Sequence, residues 1–300
     1  MKNKKLIFIV VGVLLTICIA VVAVVMLTKK DDAYRIIKVY EFDGDGVVSR
    51  ESLGDVKPYN NMVLESGDNI KHNTGLMTLK LDDDKYVYVE EHTEFSLEAT
   101  GTTANSKTTI NLKSGAITNE LQNKLSGESS YEINTPNSTM AVRGTTYRVE
   151  VYKDDKGVNY TRVTVFEGKV ATKLRYADGT VSDAEVGVEA GKEVIIYEDD
   201  NTTDYLGDVT DIDYSTLPDD VLLIVGEVLD MDENMSDDEI VRTFKGPFTV
   251  TFTYNGNVFG TQTVEKGECA QIPSLMPAPS GSWKFDFSTP ITEDIEIKWD

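Results

Sequence analysis

From Tyr34 to about Tyr197, apolar and polar positions alternate in short runs, broken by glycine, asparagine and aspartate. Met77, Leu79 and Leu81 have polar neighbours on either side, the period of a half-buried strand. Asp82-Asp83-Asp84 supplies a turn, and a second strand is predicted from Tyr86 to Val89. Further strands are predicted at Glu94–Leu97, Thr108–Leu112, Thr146–Val151, Arg162–Val165, Val170–Leu174 and Glu193–Tyr197. Gly115, Glu167-Gly168, Asp178-Gly179 and Gly191 punctuate them. Many short strands with no helical pattern between them predict an all-β domain over residues 34–197, solenoid-like or sandwich-like.

The pattern differs on both flanks. Leu6 to Leu27 is 22 residues long without a charge. As a helix it would reach roughly 33 Å, enough for a hydrocarbon core of about 30 Å. Its length exceeds the apolar region of a cleavable signal peptide, and no A-x-A site follows it, so an uncleaved anchor is expected. Lys2, Lys4 and Lys5 on a five-residue stub predict a cytoplasmic N-terminus and an outer C-terminal body. Beyond the β domain, residues 198–245 read as an acidic linker with one or two short helices. Pro218, Asp219 and Asp220 suit a first turn, with Val221, Ile224, Val225 and Val228 on one face. Ser236 and Glu239 have capping-box spacing ahead of Ile240, Val241 and Phe244. From 246 to 300 the alternation returns in Val250, Phe252 and Tyr254, predicting a small β domain.

Charge sharpens this topology. The chain holds 29 Lys and Arg against 51 Asp and Glu, a net of −22. The first 30 residues carry five lysines and no acid, so residues 31–300 carry −27. Sixteen acids and no base fall between Glu198 and Glu239. An acidic exterior repels phosphate backbones, which argues against nucleic acid. Two histidines and two cysteines cannot build a Cys/His zinc cluster or a disulfide framework. With only Cys269 in the outer portion, a bacterial cell envelope is the compartment the sequence fits.

Residues 131–173 carry a more specific pattern. Thr135 and Pro136, then Val142-Arg143-Gly144-Thr145, Tyr147, Val165, Glu167, Gly168 and Val170 fall in the order found in FecR proteins. The segment resembles that family, and the looser layout extends over about residues 60–197. The resemblance implies an extracytoplasmic β domain in a protein that relays a signal across a membrane to a sigma factor. A five-residue stub is too short for the family's cytoplasmic domain, so direct anti-sigma activity is not expected of it. Physically, Gly144 suits a close backbone approach and Arg143 a carbonyl or carboxylate at a buried corner. The other reading makes Arg143 a ligand-contacting cation.

Residues 248–299 are similar to the Listeria–Bacteroides cell-wall repeat, the internalin B-type repeat. Val250, Phe252, Asn255, Gly256, Thr261, Val264, Gly267 and Pro273 match in order. Gly281, Trp283, Phe285, Phe287, Thr289, Pro290, Ile291, Thr292, Ile295 and Trp299 continue the match, with a shortened loop between Trp283 and Phe285. A single copy of a β-grasp-like unit is implied.

No catalytic motif emerges. His72 and His92 are isolated and read as solvated or hydrogen-bonded side chains. Asp43-Gly44-Asp45-Gly46 and Asp230–Asn234 begin like calcium loops but lack the later ligands, which favours solvated turns. No cofactor, metal or catalytic residue is assigned. The expectation is a non-enzymatic envelope protein that binds a protein or cell-wall partner. The alternative is a FecR-like signal-transducing subunit acting through another membrane protein.

Overall fold

The computed structural model describes residues 35–125, 127–176, 178–197 and 207–300. The expected stub and the anchor Leu6–Leu27 lie outside the described residues, as does 198–206 of the expected linker. No helix among the described residues is long and apolar enough to cross a membrane. The protein is mostly β and divides into two units, one ending at Thr210 and the other spanning Asp211–Asp300.

The first unit is organised by three long bent strands: β1 (Ile37–Arg50), β3 (Asn69–Leu81) and β6 (Asn105–Leu121). β1 and β3 pair antiparallel along their lengths, from Ile37 opposite Leu81 to Ser49 opposite Asn69. β4 (Lys85–Val89) bridges one half of β3 to one half of β6, and β5 (Thr93–Thr102) bridges the other halves. Short β2 (Gly54–Val56) closes the end of β1. Two layers result, and the three long strands run from one into the other.

Glycine marks the fold line. Gly75 of β3 and Gly115 of β6 have φ of +90° and +85°, a region only glycine enters cheaply. Between them the β4–β5 turn carries Glu90, Glu91 and His92. The first layer continues from β6 through β9 (Thr146–Lys153), β10 (Asn159–Glu167) and β13 (Lys192–Tyr197). The second continues through β7 (Ser130–Asn134), β8 (Ser138–Val142), β11 (Lys169–Arg175) and β12 (Val181–Glu189). One apolar cluster fills the space between them, joining Leu79, Val87, Ile117 and Val163 to Phe95, Ile110, Ile133 and Val170. A sandwich-like arrangement follows, because alternation leaves one apolar face per layer and the two faces cover each other.

One sequence expectation changes here and another narrows to one of its two alternatives. Asp43–Gly46 is no loop; it lies within β1, where Gly44 pairs with Gly75. His72 is fully buried on β3, with Nε2 2.9 Å from the Gly75 carbonyl oxygen, so it is hydrogen-bonded but not solvated.

The second unit opens with a 3-10 turn (Tyr214–Thr216) and helices α1 (Asp219–Val228) and α2 (Asp237–Lys245). Ser236 and Glu239 close a full capping box at α2. On α1 the buried face is Val221, Leu222, Val225 and Gly226, a rotation from the expected stripe that brings Leu222 inward. Strand β14 (Phe248–Tyr254) pairs antiparallel with β15 (Asn257–Val264) and parallel with β16 (Ile295–Lys298). Asn255 and Gly256, both at positive φ, make the hairpin turn. Phe248, Val250, Phe252, Trp283, Ile291, Ile297 and Trp299 form the core. The linker expected over 198–245 is therefore shorter. From Asp211 on, the chain packs with the terminal sheet, since Phe244 is buried and Lys266 Nζ donates to its carbonyl at 2.9 Å.

Candidate partner-binding cleft

Each signature residue from the sequence has a distinct place. Thr135 is buried at the β7–β8 turn, where its hydroxyl accepts from Thr161 at 2.8 Å and from the Ser138 amide at 3.0 Å. Neighbouring Asn137 donates to the Ile196 and Asn159 carbonyls at 3.2 and 3.1 Å. This polar staple ties one layer to the other. Pro136, half-buried, holds the turn between them. Thr145 is buried and donates to the Lys169 carbonyl at 3.2 Å.

Gly144 and Gly168 stack where three chain segments converge. Their φ angles are +78° and +79°. A Cβ on Gly144 would lie 2.9 Å from Lys124 Cα, and one on Gly168 would lie 2.9 Å from the Gly144 carbonyl oxygen. Glu167 is exposed and opposes Thr146 at a bulge. Arg143 is exposed too, so the buried corner expected for it is not built. Its Nε donates to the Leu125 carbonyl at 3.2 Å, which leaves the rest of the guanidinium facing outward.

Around Arg143 opens a cleft of about 480 Å³. Val142, Ala141 and Ala171 line it together with the basic residues Arg143, Lys124 and Lys169. Lys169 Nζ lies 3.3 Å from Glu189 in an exposed pair, which is weakly held and readily exchanged. Apolar side chains and three basic residues in one lining, on a chain of net charge −22, can receive a carboxylate-bearing aliphatic segment. Sequence reasoning missed Lys169, though it directly follows signature Gly168. Lys124 had no signal, because it is brought in by the chain leaving β6.

Several charged groups elsewhere on this unit are locked into the fold. Arg148 lies on the outer face of β9 with its side chain 4% exposed. It donates to both Glu90 oxygens at 2.6 and 2.9 Å and to Glu150 at 2.9 Å. Burial works against its charge, but the two carboxylates outweigh it and raise its pKa above the ordinary arginine value. Arg162 is likewise bidentate on Glu193, at 3.0 and 2.9 Å. Tyr131 and Tyr147 are fully buried, and desolvation pushes both phenols well up. Tyr131 donates to Asn119 Oδ1 at 2.8 Å.

The order of these turns carries the comparison. Residues 70–171 match the family model described as FecR protein. The FecR match covers about a third of the chain. It begins in β3 and ends in β11, so β1, β12 and β13 are hydrogen-bonded to it from outside the matched segment. FecR is a regulatory family and not an enzyme family. Two crystal structures described as a "putative anti-sigma factor" from Parabacteroides distasonis ATCC 8503 are similar to this chain at 12% identity. They cover 77% of this chain and 97% and 98% of their own, with TM-scores of 0.38 and 0.37. No curated protein matches the chain.

Proposed function

We propose that this chain is a non-enzymatic FecR-type regulator of the bacterial cell envelope, held at the cell membrane by one helix over Leu6–Leu27. In this reading its stub of residues 1–5 is cytoplasmic and its body extracytoplasmic. The cleft beside Arg143 receives an acidic segment of another envelope protein, and occupancy is passed on through that protein. The supporting observation is that the FecR signature turns, which fix Gly144 and Gly168, also bring Arg143, Lys124 and Lys169 into the lining of one partly apolar cleft. The terminal unit is read as a single β-grasp-like Listeria–Bacteroides repeat that provides a second contact. Its hairpin, parallel third strand and paired tryptophans Trp283 and Trp299, 5.1 Å apart, support that reading. A cell-wall component remains the second candidate for that contact, because such repeats occur on wall-associated proteins.

Photocrosslinking in intact cells tests the cleft. A photoreactive residue replaces Ala141, which is exposed in the cleft lining. One discrete protein adduct is expected. It should disappear when Arg143 and Lys169 are changed to alanine while the thermal midpoint holds. Adduct formation indifferent to those charges would remove the proposal.

A further inference from the structure

The edge of the terminal sheet differs from the other free edges described. In the first unit, β2 is three residues long and β12 carries Asp183, Glu185 and Glu189. In the terminal unit, β16 is four residues long and includes Glu296 and Lys298. Short length and charge are the means by which proteins stop edge strands from pairing with other chains. β15 has neither. It runs eight residues, Asn257–Val264, without a charge or a proline, and among the described residues it pairs on one side only.

The flank of this edge is apolar. Val258 is 66% exposed, and Phe259, Ile272, Leu275 and Met276 are also exposed. The Gln262 side chain ties the second segment alongside, donating to the Gln271 carbonyl at 2.7 Å and accepting from its amide at 2.9 Å. A bulge at Phe259 turns that ring toward Trp283, 5.7 Å away, and leaves Gly260–Val264 regular. The surroundings are strongly acidic, with 18 acids against five bases in Asp211–Asp300.

We infer that β15 is a strand-addition site for an extended apolar segment of a partner protein flanked by lysine or arginine. The open backbone edge calls for an extended strand, and main-chain hydrogen bonds would supply the affinity. Exposed Val258 and the 272–276 segment offer apolar contact to alternate side chains. The acidic field selects basic flanks and opposes pairing with a second copy, whose terminal unit carries the same excess of 18 acids over five bases. The inference is independent of the Arg143 cleft, which lies in the other unit.

The test is hydrogen–deuterium exchange on the full chain with a probe peptide, Lys-Lys-Phe-Thr-Val-Thr-Phe-Thr-Tyr-Lys. At about 90% occupancy, amides in 257–264 should exchange roughly tenfold more slowly. The same peptide methylated on alternate backbone nitrogens should give no protection, and glutamate in place of the flanking lysines should weaken it. Val258→Lys with Thr261→Lys should abolish protection at unchanged tryptophan fluorescence. Absence of protection with the parent peptide, or equal protection with the methylated one, would overturn the inference. So would protection of β15 that rises with chain concentration alone, which would make a second copy the occupant.

Discussion

Gly44 and Gly75 face each other in register across β1 and β3, so close that a side chain on either would collide with the opposite backbone. A Cβ on Gly75 would run into the Asp43 carbonyl and one on Gly44 into the Thr74 carbonyl. The contact lies on the line where both strands pass from one layer into the other. Gly75→Ala should therefore cost about 3 kcal/mol or more, combining the collision with left-handed backbone strain. Urea denaturation would check it, with Gly157→Ala as a control for positive φ in open space.

Buried charge on the outer face gives a second prediction. Glu90→Ala would leave Arg148 almost buried, with Glu150 as its remaining carboxylate. Breaking such a pair typically costs about 3–5 kcal/mol, whereas replacing both partners by apolar groups is often close to neutral. The double variant Glu90→Leu with Arg148→Met should recover most of the loss in a thermal melt.

Arg143 and Gly144 are adjacent but should behave oppositely. Arg143→Ala removes one exposed hydrogen bond and should change stability by less than about 1 kcal/mol. Gly144→Ala should cost about 2–3 kcal/mol, because φ is +78° and Lys124 Cα blocks the new methyl. Paired denaturation curves would decide. A large loss from Arg143→Ala would mean that its role is structural.

Acid should loosen the terminal unit. The Thr249 amide, donating at 2.7 Å, and Arg242 hold the Asp294 carboxyl below its ordinary 3.8, and the Ser236 amide and hydroxyl lower Glu239. A carboxylate depressed in the folded state stabilises fully above the unfolded value, and that contribution is lost as pH falls through the folded one. Tryptophan-monitored melting of the full chain should therefore weaken from about pH 4 downward. Asp294→Asn should flatten that dependence.

Local pattern was enough for many of the elements, though not for β1, β2, β7, β8 or β12. Strict alternation placed the strands around Met77, Val87, Ile110, Val149 and Val163, because a half-buried strand must alternate whatever it packs against. The capping box at Ser236 and Glu239 was legible for the same reason, since both partners lie within one turn. Thr135, Gly144 and Gly168 could be singled out by motif, but their work depends on distant partners. Thr135 meets Thr161, and Gly144 meets the backbone of Lys124, contacts that no spacing encodes. The Asp43–Gly46 stretch shows the opposite failure. It has turn composition, yet β3 supplies a partner strand and the glycines serve a bend. Tertiary structure alone decided that Arg143 is exposed, that Lys124 and Lys169 join it, and that 211–245 packs with the terminal sheet. Burial and charge convergence depend on which segments meet, and chain order does not contain that information.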